Sequence, residues 1–174
     1  MHFILFKILM MRISEIEVFF NNNVSKKQLN NISWYEEKEG DLIVKKPLIN
    51  SSKLSFDYDE INKKIKTSDT IYFKNNNVIF VEFKSGEIKK IDFRLKATES
   101  IISFYNFIFS NGFTETLNFP NDTFQIYFIY NRTSSPAAQF TFSQVERELS
   151  IEYKHLFSKF KVIDSEKFKK IFGV

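Results

Sequence analysis

Thr67–Gly86 reads T-S-D-T-I-Y-F-K-N-N-N-V-I-F-V-E-F-K-S-G, two apolar runs parted by an asparagine cluster. β-Branched and aromatic residues bounded by turn formers predict a hairpin. A two-residue turn at Asn75-Asn76 pairs Lys74 with Asn77, and counting back sets Asp69 opposite Glu82. Directly opposed residues hold their Cβ atoms about 4.5–5.5 Å apart. Glu82 and Lys84 share a face because side chains alternate along a strand. Two carboxylates and an ammonium thus converge at one end of a ribbon whose body is Ile71, Phe73, Val78, Ile79, Phe80, Val81 and Phe83. Charge beside such strands is costly unless it is paired or binds a cation, and opposed like charges destabilise a strand pair. A divalent cation, which takes hard oxygen ligands, relieves both penalties. On this reading, removing either carboxylate leaves the metal-free fold as stable or more so. Without a cation the stretch is a surface hairpin with a solvated Glu/Lys pair. The tripeptide E-x-K also occurs at Glu36–Lys38, Glu87–Lys89 and Glu152–Lys154. Only Glu82-Phe83-Lys84 closes an apolar strand preceded by one that an aspartate opens.

An aspartate, a variable gap, and then Asp/Glu-x-Lys on the next strand resembles the motif of the PD-(D/E)xK nuclease superfamily, over the stretch from Leu42 to Tyr130. The resemblance implies that Asp69 and Glu82 are ligands of Mg²⁺ or Mn²⁺, with the backbone carbonyl of Phe83 as a further ligand. It implies that Lys84 orients the attacking water or stabilises charge developing at phosphorus. Ser68 stands where the motif carries proline. The superfamily often adds a glutamate from the preceding helix, and several residues compete for that role. Glu15 and Glu17 lie on the first predicted helix. Glu36, Glu37 and Glu39 form a charge run that reads as a solvated turn, and Asp57, Asp59 and Glu60 precede the hairpin. Glu17 and Asp57 are favoured. The activity so implied is hydrolysis of phosphodiester bonds in DNA or RNA, by endo- or exonucleolytic cleavage. The alternative is a nuclease-like module without activity that grips nucleic acid or a protein partner.

The chain of 174 residues is the length of a single domain, expected to span residues 1–174 and to bury roughly 70% of its unfolded surface. Hydrophobic content of 43% and charged content of 26% suit a soluble globular protein. The 22 phenylalanines accompany abundant Lys, Asn and Ile, the residue bias of AT-rich coding, so they are not read as platforms for bases. The net charge of +4 has the sign expected for a polyanionic partner. The absence of cysteine excludes disulfides, thiolate zinc sites and cysteine nucleophiles, and it fits a reducing compartment. The two histidines, His2 and His155, are too few for a histidine-rich metal site. Met1–Met10 is apolar but about half the length needed to span a bilayer. It lacks the features of a secretory leader, and reads as an edge strand or loose arm. These features predict a cytoplasmic protein with no membrane partner. A homodimer remains open. The chain has no phosphate-binding P-loop, no dinucleotide fingerprint and no nucleophile elbow.

Periodicity places a helix over Ile13–Phe20 and a short one from a Ser25 cap through Ile32. Asp41–Lys46 reads as a strand stopped by Pro47, and Lys53–Lys66 mixes strand and helix signals. The hairpin Asp69–Lys84 follows. The longest helix covers Ile88–Ser110, with Ile88, Ile91, Leu95, Ile102, Phe104, Tyr105 and Phe109 as its apolar face. Its first turns carry Lys89, Lys90, Arg94 and Lys96. Cations there oppose the helix dipole, and a nucleic acid would meet them through its phosphates. Thr123–Tyr130 reads as a buried strand and Asn131–Gln139 as a loop. Phe142–Phe157 is a helix with Ser143 as cap, Phe160–Ile163 a strand, and Ser165–Phe172 a helix capped by Ser165. The order predicts an α/β fold, a mixed β-sheet with a central hairpin flanked by helices. The resemblance implies a restriction-endonuclease-like core of helix–strand–strand–strand–helix–strand across Ile13–Tyr130.

Overall fold

The computed structural model describes residues 2–61, 65, 67–85, 89–113, 123–131 and 135–174, with side chains from residue 13 onward. In chain order the elements are α1 (His2–Asn23), β1 (Lys26–Gln28), α2 (Leu29–Ile32), β2 (Trp34–Glu39), β3 (Leu42–Pro47) and β4 (Leu54–Asp57). A 3-10 turn (Tyr58–Glu60) leads to β5 (Thr70–Lys74), β6 (Asn77–Lys84), α3 (Lys90–Ser110), β7 (Phe124–Tyr130), α4 (Pro136–Glu152), β8 (Lys159–Asp164) and α5 (Ser165–Phe172). The main sheet has six strands in the order β1-β4-β5-β6-β7-β8, and β2 and β3 form a separate ribbon. The pairs β1–β4, β4–β5 and β5–β6 are antiparallel, while β6–β7 and β7–β8 are parallel. The sheet is therefore mixed, as the order of elements predicts.

The central hairpin has the expected register, Lys74 against Asn77 and Thr70 against Val81. Asn75 and Asn76 carry φ of 52° and 58°. Positive φ at both turn positions matches the twist of the flanking strands, and asparagine tolerates it better than most residues. β6 alternates between two cores. Val78 and Phe80 join Ile126 and Phe128 of β7 under α1, α3 and α4. Ile79 and Val81 join Tyr127 and Ile129 under α2 and α5. Burial on both faces explains why β6 and β7 read as continuous apolar runs.

Several local expectations are corrected. Met1–Met10 is not an edge strand or arm: from His2 it is the first half of α1, because nothing between it and Ile13 breaks a helix. Ser25 caps no helix; β1 intervenes and Gln28 precedes α2. The strand of the meander before the hairpin is β4, drawn from the ambiguous Lys53–Lys66 stretch, whereas the Asp41–Lys46 segment pairs with β2 instead. Glu36, Glu37 and Glu39 lie on a strand and not in a turn. α4 begins at Pro136 with Ser135 as its cap, whose Oγ accepts from the Ala138 N–H at 3.2 Å. Proline at the first helical position is already preset for a helix. Ser143 lies inside that helix and donates to the Gln139 carbonyl at 3.0 Å. Asp164, not Ser165, caps α5, accepting from the Lys167 N–H at 2.9 Å. The predicted turn at Gly86 and helix start at Ile88 lie outside the described residues.

The face that α3 buries also differs. Phe93, Ala97, Ser100, Phe104 and Ile108 point inward, while Ile91, Leu95, Ile102 and Phe109 are exposed. Apolar residues occur around the whole helix, so sequence periodicity did not single out the inward face. α1 supplies its partner. Phe20 is fully buried, with ring centroids of Phe73, Phe107 and Phe56 at 5.0, 5.3 and 5.6 Å and Phe104 stacked at 6.0 Å. Such aromatic contacts add to area burial. Among the described residues no helix is long and apolar enough to cross a membrane. Phe20→Ala is expected to destabilise the fold by about 3–5 kcal/mol, read as a lower urea midpoint at constant m-value.

Candidate functional site

β6 delivers Glu82 and Lys84 to the same face at the C-terminal end of the strand, and the parallel step to β7 buries that end. Glu82 is only 2% exposed. Lys84 Nζ lies 2.7 Å from its Oε1, and Lys96 Nζ, reaching in from α3, lies 3.1 Å from its Oε2. A buried carboxylate is tolerated because both oxygens meet an ammonium. Lys96 also donates to the Thr67 carbonyl at 2.5 Å. Its long stem bridges α3 to the segment that carries Asp69.

That segment is latched to α3. The Ser68 N–H donates to Ser100 Oγ at 2.8 Å, and the two hydroxyls are also 2.8 Å apart. Ser100 Oγ donates to the Lys96 carbonyl at 2.6 Å, and the Tyr58 hydroxyl donates to the Ser100 carbonyl at 2.8 Å. Proline at residue 68 could not make the first bond, since it has no N–H. Serine at this position therefore performs a local structural task. The latch leaves Asp69 with its Oδ2 accepting from the Phe83 N–H at 2.6 Å. Continuing the observed register past Thr70 and Val81 sets Asp69 across from Glu82.

Burial pushes the Asp69 carboxyl well above the ordinary carboxylate range, and the charge of Glu82 pushes it further. Lys96, the Phe83 N–H and Lys84 oppose the shift. At Lys96, burial works against the ammonium, but Glu82 and Asp69 outweigh it and hold its pKa above the ordinary value. The site is thus two carboxylates and two ammoniums in mutual compensation, with Asp69 as the strained member.

Asp69 and Phe83 open onto a cleft of about 440 Å³, whose wall also includes Lys27, Trp34, Asp57, Asp59 and Glu60. Asp57, at the end of β4, is buried and ion-paired with Lys27. Lys27 also meets Glu60 at 2.9 Å. Of the two favoured third carboxylates, Asp57 borders the cleft. Glu17 does not; it lies on α1, with its backbone carbonyl accepting from Asn21 at 2.9 Å. Among the described residues no three histidine or carboxylate side chains gather closely enough to hold a metal ion on their own.

The four basic residues expected to face phosphates do not share one role. Lys90 pairs with Glu148, and Arg94 Nη2 meets Glu152 Oε2 at 2.6 Å, both across to α4. Lys89 is exposed at the start of α3, its N–H donating to Asp92 Oδ2 at 3.2 Å. Lys96 belongs to the Glu82 site. Its part there, the Ser68–Ser100 latch and the place of Lys27 and Trp34 on the cleft went unread in the sequence. A signal for the first two existed. Lys96 and Ser100 are four apart on the helix flank that adjoins Phe93, Ala97 and Phe104, a spacing that puts both on one side.

No protein-family model matches this chain, and no curated protein or solved structure shows a significant match to it.

The two carboxylates separate in their effect on stability. Glu82→Ala strands two partly buried ammoniums and is expected to cost about 3–5 kcal/mol, contrary to the expectation from the hairpin alone. Asp69→Asn keeps an oxygen for the Phe83 N–H. With a native pKa above the unfolded value, wild-type Asp69 costs nothing below the ordinary carboxylate range and lowers stability as pH rises toward the native pKa. The asparagine variant should therefore gain on wild type as pH rises above about 4, the ordinary carboxylate range. Urea midpoints measured across that rise check it, and a gap that narrows with rising pH contradicts it.

Proposed function

We propose that this chain is a metal-dependent nuclease with a restriction-endonuclease-like core, hydrolysing phosphodiester bonds in DNA or RNA. The observation that carries the reading is the meeting of Asp69, Glu82 and Lys84 at one end of the β5–β6 hairpin. The stretch β4, β5, β6, α3, β7 supports it, being the strand–strand–strand–helix–strand part of the core that the resemblance implies, while β1, α2 and the β2–β3 ribbon stand between α1 and β4.

The donor set fits a hard divalent cation. Mg²⁺ commonly binds through one or two carboxylates and keeps several waters, so a three-carboxylate cluster is not required. Asp69 and Glu82 would hold it, with the Phe83 carbonyl beside them, and Asp57 stands on the same cleft. Burial and the neighbouring Glu82 charge disfavour an ionised Asp69 despite Lys96 and Lys84, and a divalent cation between the two carboxylates would relieve both. When bound, Mg²⁺ or Mn²⁺ supplies an activated water and neutralises phosphate charge.

The chain's own residues supply the rest. Lys84, oriented by Glu82, offers its ammonium to the charge that grows on the phosphate oxygens in the transition state. Lys96 balances Glu82 from the other side and thereby leaves Lys84 available. The water oxygen forms the new P–O bond and releases a proton to solvent, the ester P–O bond breaks, and the leaving oxygen takes a proton from solvent. Lys89, together with Lys90 and Arg94 if their pairs to α4 open, would meet flanking phosphates and set affinity.

A second reading, an inactive binding or regulatory module, is favoured by the pairing of both Glu82 oxygens with lysines. The Lys84→Met variant separates the two. In the nuclease, turnover with Mg²⁺ or Mn²⁺ should fall by about two orders of magnitude or more, while nucleic-acid binding stays within a few-fold. Calorimetric titration should show Mn²⁺ binding by the wild type and none by Asp69→Ala. Equal loss of binding and cleavage in Lys84→Met would reduce Lys84 to a phosphate contact. Binding without cleavage of single- or double-stranded DNA or RNA by the wild type would give the module reading precedence.

A further inference from the structure

Trp34 is the only tryptophan of the chain, and it lines the cleft together with Asp69 and Phe83. It is 46% exposed, although indole is the largest side chain available for burial. Its backbone is firmly placed. Ser33, next to it, is buried. The Ser33 hydroxyl donates to the Leu29 carbonyl at 2.7 Å and accepts from the Ile49 N–H at 3.0 Å. The Leu48 N–H donates to the Ser33 carbonyl at 2.8 Å, and Trp34 pairs with Pro47 across the ribbon. The Lys45 ammonium rests over the indole, 3.9 Å from its centroid. An anchored, half-exposed aromatic ring beside positive charge, at the wall of a cleft, is the combination by which proteins stack unpaired bases while the charge meets their backbone.

We propose that Trp34 is a base-stacking platform and that the substrate is single-stranded nucleic acid or an unpaired strand end, an inference that rests on the nuclease reading. Size supports it. A cleft of about 440 Å³ falls in the range of small-ligand pockets, about 300–1,000 Å³. That is room for a nucleotide and not for a double helix, whose bases are stacked on one another and offer no free face. Charge supports it as well. Lys45, held on the ring, supplies positive charge for the backbone beside the stacked base.

The lone indole reports its own contact. Wild-type protein is titrated with oligothymidylate and with a blunt duplex of the same length, in Ca²⁺, while indole emission and the anisotropy of labelled oligonucleotide are followed. The oligothymidylate should quench emission saturably and the duplex should not. Trp34→Ala should weaken oligothymidylate binding about 5- to 150-fold, and Trp34→Phe should recover most of it, with urea midpoints confirming that both variants fold. Quenching by both nucleic acids alike, or undiminished binding by Trp34→Ala, overturns the proposal. So does absence of any binding. Metal-dependent cleavage with emission unmoved would sink the stacking role and leave the nuclease reading standing. Saturable quenching without cleavage would do the reverse.

Discussion

The buried charge of Glu82 organises the site and much of what surrounds it. A carboxylate at the end of a strand covered on both faces cannot be left to solvent, so its two oxygens meet Lys84 from its own strand and Lys96 from α3. Because Lys96 comes from a different element, satisfying Glu82 also fixes where α3 lies against the sheet. The same lysine grips the Thr67 carbonyl, and Ser100, one turn further along, grips Ser68. The position of Asp69 follows from these contacts. Breaking an ion pair of this kind is expensive, while its net contribution against an apolar replacement is small. Its presence is therefore better explained by what it positions than by the stability it adds.

The phenylalanine-rich composition is put to structural use. Phe20, Phe56, Phe73, Phe104 and Phe107 form one interlocked group between α1, α3 and the hairpin. Phe93 packs edge-on to Phe128 at 4.7 Å, close to the strand that neighbours Glu82. A close-packed interior transmits displacement poorly tolerated by side chains locked against one another. This mass of rings thus gives the charged site a stiff base.

The ribbon β2–β3 stands apart from the main sheet. A two-stranded ribbon is marginally stable alone, and this one is tethered at its base through Ser33, Leu48 and Ile49. Its strands are held by cross-strand pairs such as Lys46 with Glu37 at 2.6 Å. The tether brings Trp34 to the cleft. The exposed tip, Leu42 and Ile43, points to no role from the contacts present.

What was legible in the sequence is what local rules decide. Asn75-Asn76 between two apolar runs set the hairpin register, since turn length and strand alternation leave no freedom, and that register brought Asp69, Glu82 and Lys84 to one end. The mixed sheet followed from a hairpin, a long helix and a returning strand. What sequence did not reveal depends on contacts between distant segments. The inward face of α3 was chosen by α1 and the sheet, because apolar residues lie all around that helix. Lys96 looked like one more surface cation until Glu82 and Thr67 were placed beside it. Glu36, Glu37 and Glu39 looked like a turn until β3 paired with them, and Asp57 and Glu17 read as equals until β4 docked beside β5 and set only Asp57 on the cleft. Local sequence determined the elements and the motif; only tertiary packing decided which charges share a cleft, because burial and compensation are properties of neighbours far apart in the chain.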